Sequence, residues 1–168
     1  LLSALVIAGC EGGGVDIGVE TVDNSVGNSS NGGGSGGTNP CASYTPPDSN
    51  ELRIGTFDGT NCVYPAAFVG KTNPLLVDLT IPFISGVHVF QDSLFVGQDV
   101  SINGQAAPAA GTGPTLTIAA ANTLVFQDAF DYVLINRGSQ ILAEGSPTAP
   151  ITFTSFTDAI SGTAAAND

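Results

Sequence analysis

The sequence predicts an all-β fold: a parallel β-helix of stacked coils carried behind a disordered, flexible N-terminal tether. Three observations lead there: a repeat of apolar positions late in the chain, a composition suited to turns, and a Gly-rich stretch ahead of the repeat. The repeat lies in Thr115–Ser155. Leu116 and Ile118 recur seventeen residues on as Val133 and Ile135, and eighteen residues later as Ile151 and Phe153. Leu124 and Phe126 recur at the same seventeen-residue offset as Ile141 and Ala143. Each pair alternates with other residues, which in an extended strand sends both side chains to one face. Gly138, Gly145, Pro147 and Pro150 fall at the reversals between strands. A period of about 18 residues is shorter than most helical repeats and suits a β-coil. Such a unit must stack on its neighbours to bury its apolar face. Three hairpins of a sandwich would also supply short alternating strands, but they would not require a constant offset. The expected ladders are Leu116, Ile118, Leu124, Val133, Ile135, Ile141, Ile151 and Phe153, with coils about 4.8 Å apart.

Asp131–Ser155, DYVLINRGSQILAEGSPTAPITFTS, resembles the repeat of bacterial secreted right-handed β-helix proteins of the pectate-lyase-like superfamily. It is most similar to large surface lipoproteins whose coils read roughly LxIxxGxxIxAxGTxxxPIxFTS. The likeness is close over Thr115–Ser155 and looser before it, and it implies right-handed coils. It specifies fold more than function, because this superfold hosts lyases, hydrolases, adhesins and passive stalks.

Composition bounds the rest. The 168 residues suffice for one domain. Fifteen acidic residues stand against Arg53, Lys71 and Arg137, for a net charge of −12. Without a basic patch, nucleic acid and anionic lipid surfaces are excluded as partners. With 22 Gly, 10 Pro and 11% charged residues, the chain is poor in helix formers and rich in turn formers. Leu1 stands where a start Met would be, and the chain stops at Asp168 inside what reads as a further coil. We therefore expect a piece of a longer chain.

In order, Leu1–Gly9 is an apolar run too short to span a bilayer core of about 30 Å. It has the character of the end of a secretory signal. Ile7-Ala8-Gly9-Cys10 resembles the bacterial lipobox, which implies cleavage before Cys10 and a diacylglyceryl group on its thiol. Glu11, where an Asp would favour inner-membrane retention in that family, leans toward the outer membrane. Residues 10–47 read as the lipidated cysteine and a tether, with ten glycines between Gly12 and Gly37. Segments this poor in large apolar groups cannot offset their ordering entropy. With Cys10 lipidated, Cys41 and Cys62 remain, and an even pair in an oxidising compartment points to a disulfide. A metal site would need more ligands than two thiols. Residues 48–82 read as an N-terminal β subdomain or cap, with strands Leu52–Ile54 and Cys62–Tyr64 around an Asp58-Gly59 turn. Leu75–Ile81 is a stronger strand, stopped by Pro82. Residues 83–168 read as the coils, beginning with Val87–Phe90, Ser93–Val96 and Val100–Ile102; Asn103–Pro114 is expected to protrude as a loop.

Groups that could carry chemistry are few. Polysaccharide lyases on the resembled fold bind calcium with clustered carboxylates and take a proton with a basic residue. Asp128 and Asp131 lie in one loop, Arg137 in the next turn, and Asp158 about one coil later. Calcium at Asp128, Asp131 and Asp158 is the one metal to consider, although solvated loop charges account for them more simply. No catalytic residue is assigned and no cofactor is expected. His88, the only histidine, is expected as a strand residue or loop contact. The expected function is a lipid-anchored β-helix protein at the outer membrane or cell surface, exported across the inner membrane, with a structural, adhesive or assembly role. Its partners would be the membrane through Cys10, a polysaccharide or surface protein, and a second copy by end-to-end association. The alternative is a carbohydrate-active enzyme (polysaccharide lyase or glycoside hydrolase) or a polysaccharide-binding module, with its active face partly outside these residues.

Overall fold

Short apolar runs make most strands among the described residues, and Gly, Pro, Asn and Asp stand at many of the reversals between them. The structure, a computed structural model, describes residues 38–98 and 109–162. Its strands are β1 (Ser43–Tyr44), β2 (Arg53–Ile54), β3 (Thr56–Phe57), β4 (Cys62–Tyr64), β5 (Leu79–Ile81), β6 (His88–Phe90) and β7 (Leu94–Val96). They continue as β8 (Thr115–Ile118), β9 (Thr123–Phe126), β10 (Val133–Ile135), β11 (Gln140–Ala143) and β12 (Thr152–Ser155), followed by a helix, α1 (Phe156–Ser161). The region read as Val100–Ile102, and most of the loop after it, lies outside the described residues.

The strands form several small sheets. β5, β8 and β11 pair in parallel, as do β7 and β10. β4, β6, β9 and β12 run parallel in a five-stranded sheet whose outer strand, β3, is antiparallel to β4. β1 and β2 form an antiparallel pair. From β5 onward, successive strands enter the three parallel arrays in rotation.

The right-handed parallel β-helix expected from the sequence is not what is found. Leu116 does not stack on Val133: its partners are Leu79 and Ile141, while Val133 pairs with Leu94 and Leu124 pairs with His88 and Phe153. The intervals between paired residues are unequal, so the described residues form no uniform coil of 17 or 18 residues. Small parallel and mixed sheets with a short helix place the chain nearer an α/β arrangement than a plain β-helix. The physical reason is that a period of two repeats in every strand. The seventeen-residue offset records the spacing of similar strands along the chain and not which of them are neighbours.

The core is densest where β4 through β9 meet. Leu79, Ile81, Leu116, Ile118 and Leu124 are buried together with Tyr64, Phe68 and Leu75. Tyr64, Phe90 and Phe126 occupy one ladder of adjacent strands. Their rings stack at 4.6 Å and 5.7 Å between centroids, each contact adding about 0.5–1.5 kcal/mol beyond burial. Beyond β9 the burial falls away: Val133, Ile135 and Ile151 are partly buried, and Ile141 and Phe153 are 36% and 45% exposed.

Two local features follow from single residues. After β7 the chain turns at Gly97 with φ +75°, where an added Cβ would lie 1.8 Å from Ser139 Oγ. At the other end of the body, α1 stands where a further coil was expected. Ser155 caps it by accepting from the Asp158 N–H at 3.1 Å, and Gly162 ends it with φ 67°.

Candidate functional site

The disulfide and what surrounds it form the first place where chemistry-bearing residues gather. Cys41 and Cys62 are bonded, with Cα atoms 5.4 Å apart, and both are buried. Asn39 fixes the approach of the chain. Its Nδ2 donates to the Gly55 carbonyl at 2.9 Å and its Oδ1 accepts from Cys41 N at 3.0 Å. Asn39 through Tyr44, within the stretch read as tether, thus packs into the folded body. Cys10 lies outside the described residues.

Beneath the disulfide sits a closed polar network that the sequence does not announce. His88 is fully buried in β6. Its Nε2 is 3.0 Å from the Pro82 carbonyl, which can only accept, so Nε2 carries the proton. Nδ1 is then an acceptor, and the Tyr64 hydroxyl 2.9 Å away donates to it. Tyr64 Oη in turn accepts from the Ala42 N–H at 3.0 Å. Burial holds the His88 pKa below its ordinary value, against the smaller opposing effects of the Pro82 carbonyl and the Asn122 amide. Asn122 donates through Nδ2 to the Ile81 and Pro82 carbonyls, while its buried Oδ1 has no hydrogen-bond partner. Burial pushes the Tyr64 hydroxyl up to about 12. A neutral, fully paired histidine of this kind ties the Ala42 segment, β4 and the turn after β5 together. It is a structural junction.

The second place is an open cavity of about 310 Å³ between the β9–β10 loop and β12. Phe126, Tyr132, Val133 and Phe153 supply its apolar surface, and Asp128, Asp131, Thr154 and Ser155 its polar rim. The structure thus brings Asp128 and Asp131 together. Asp131 holds the loop: Oδ1 accepts from Ser93 Oγ at 3.3 Å and Oδ2 from Asp128 N at 3.0 Å. Ser93 Oγ also accepts from the Tyr132 N–H at 3.1 Å. Tyr132 packs edge-on to Phe95 at 5.6 Å and remains half-exposed, and neighbouring Phe130 is almost fully exposed. Asp158 does not line this cavity. It lies in α1, where its carboxylate accepts from Thr154 Oγ1. Arg137 lies exposed in the turn after β10. Among the described residues, no group of three or more His, Cys, Asp or Glu side chains is arranged to hold a metal ion.

A third cluster, unforeseen from the sequence, surrounds Arg53. Its Nη1 donates to Tyr44 Oη at 3.0 Å and to the Phe68 carbonyl at 3.3 Å, and the Tyr44 hydroxyl donates to the same carbonyl. Burial raises the Tyr44 pKa, and Arg53 partly offsets it. At the Asp58-Gly59 turn, the Asn61 and Thr60 N–H groups hold the Asp58 carboxyl below its ordinary value.

Comparison of the chain with family models, with curated proteins and with solved structures finds no match.

Proposed function

We propose that this chain is a lipid-anchored protein of the extracytoplasmic space, held to a membrane through Cys10 and serving in adhesion, scaffolding or assembly. The cysteine pattern is the observation that carries it. Cys41 and Cys62 are joined in a buried disulfide, a bond that persists in oxidising compartments. The third cysteine ends the apolar run Leu1–Gly9 in a lipobox-like Ile7-Ala8-Gly9-Cys10. Each thiol then has a chemistry suited to export. Two acyl chains on one glyceryl group suffice for stable anchoring, where a single chain would not. The glycine-rich residues that follow would hold the folded body clear of the bilayer.

The test is metabolic labelling with palmitate in a Gram-negative host, comparing the chain with its Cys10→Ser variant. Label in membrane-bound protein, lost in the variant, is expected. Equal incorporation into both would overturn the anchor. A second reading, a polysaccharide-binding or carbohydrate-active module, is favoured by the open cavity, where Tyr132 and Phe153 stand beside two carboxylates. Aromatic surface with acceptors at its rim suits a sugar ring. Retention of the protein on immobilised acidic and neutral polysaccharides, lost in Tyr132→Ala, would move the assignment there.

A further inference from the structure

Arg53 stands out in a chain that carries 15 acidic residues and only three basic ones. It lies in β2, opposite Tyr44 of β1, and is half-buried. The groups it reaches are nevertheless neutral. Nη1 alone makes both of its hydrogen bonds, to the Tyr44 hydroxyl and the Phe68 carbonyl. Among the described residues, Nε and Nη2, which form one edge of the guanidinium, have no hydrogen-bond partner. The guanidinium carbon also lies 5.8 Å from the centre of the Tyr44 ring. A fork tethered in this way loses less entropy when it takes a ligand.

The same side chain lines a cleft of about 220 Å³, together with Leu52, Ile54, Pro65, Ala67 and Phe68. These residues come from β2, the residue before it and the turn after β4. Five of the six are apolar, and no carboxylate is among them. Leu52 is 41% exposed despite its apolar side chain, and Pro65 and Ala67 are exposed beside it.

These features select a ligand. Two donors on one edge of a guanidinium match a planar carboxylate, which accepts from both. One cation balances one negative charge. The second charge of a phosphate monoester would stay uncompensated, in a protein whose net charge of −12 already repels anions. Apolar walls call for a hydrophobic body beside the carboxylate. The cleft is smaller than the roughly 300–1,000 Å³ of pockets for drug-sized ligands, so that body is a single ring or a short branched chain.

We propose that the Arg53 cleft binds a small monocarboxylate with a compact apolar body, the carboxylate on Nε and Nη2 and the body against Leu52, Ile54 and Phe68. This site is independent of the anchor at Cys10 and of the cavity beside Tyr132.

The experiment is titration of the isotope-labelled Cys10→Ser chain with phenylacetate, followed by nuclear magnetic resonance. Saturable shifts of the backbone amides of Leu52, Arg53, Ile54, Ala67 and Phe68 are expected, with a dissociation constant below about 1 mM. Phenylacetamide, the same body without the charge, should bind at least about tenfold more weakly, as expected on losing charge-assisted hydrogen bonds. Ala67→Phe fills the cleft, leaves both Arg53 hydrogen bonds in place and should remove binding. Arg53→Lys keeps the charge without the fork and should weaken phenylacetate at least about tenfold. Should the lysine variant lose its folded spectrum, the comparison of acid and amide on the chain with Arg53 intact decides alone. No saturable binding of phenylacetate, equal affinity for acid and amide, or undiminished binding by a folded Ala67→Phe variant would each overturn the proposal. Displacement of phenylacetate by inorganic phosphate at equal concentration would overturn the choice of a monocarboxylate.

Discussion

Replacing Tyr64 by Phe removes one oxygen atom from the buried junction and leaves the aromatic stack with Phe90 in place. Two groups lose their partner. The Ala42 N–H, on a residue 3% exposed, has no other acceptor shown, and Nδ1 of the fully buried His88 loses its donor. Each unsatisfied buried group costs about 1–3 kcal/mol. The loss should therefore be about 2–6 kcal/mol, a large share of the roughly 5–15 kcal/mol typical of a domain. Urea unfolding at pH 7.5, followed by circular dichroism, measures it. The same junction sets a pH dependence. His88 is depressed below the 6.5 of the unfolded chain, so unfolding takes up a proton between the two values. The stabilisation is complete above pH 6.5 and is lost as the pH falls below it. Tyr64, raised from 10.0 to about 12, works in the opposite direction. Its stabilisation is complete below pH 10 and is lost as the pH rises towards 12. A Tyr64→Phe variant within about 0.5 kcal/mol of the parent, below any unsatisfied-group cost, would refute the reasoning. So would unfolding free energies that stay level from pH 7 to 5.5.

Three further outcomes follow from the packing. Leu124→Ala empties a site with no solvent exposure and should cost about 2–5 kcal/mol in denaturant unfolding. Changing Cys41 and Cys62 together to Ser opens a loop with a sequence separation of 21. It should cost on the order of 3 kcal/mol, seen as a lower midpoint that reductant no longer shifts. Asp131→Ala removes the carboxylate that joins Ser93 to the Asp128 backbone. At about 0.5–1.5 kcal/mol for each partly exposed hydrogen bond, the effect on global stability should be small. Hydrogen exchange should instead show local loosening of the β9–β10 loop.

How far the sequence could be read differs from element to element. The strands β6 through β12 were legible because each falls in a short stretch carrying apolar residues between turn formers. Their pairing was not. Leu116, Val133 and Ile151 look alike in sequence, and nothing local says that Leu116 lies beside Leu79, across a long intervening segment. Asn39–Tyr44 was hidden for a similar reason, since its order comes from Gly55, Cys62 and Tyr64 and not from its own composition. The helix after β12 could have been suspected from Ser155, Asp158 and Gly162, whose spacing provides both caps. Asp128 and Asp131 were found as a pair because they share a loop. That Asp131 serves to hold the loop depends on Ser93, 38 residues away in sequence.

Chemical cross-linking of engineered thiols tests the strand register, on which the buried core depends, most directly. Thr117 pairs with Leu142 across adjacent parallel strands, whose spacing is about 4.8 Å. Leu134, seventeen residues after Thr117, instead pairs with Phe95 in a different sheet. In a Cys10→Ser background, Thr117→Cys with Leu142→Cys should be joined within one chain by a short thiol-specific reagent. Thr117→Cys with Leu134→Cys should not. Rapid joining of the second pair with failure of the first would contradict the sheet assignment and restore the uniform seventeen-residue register in its place.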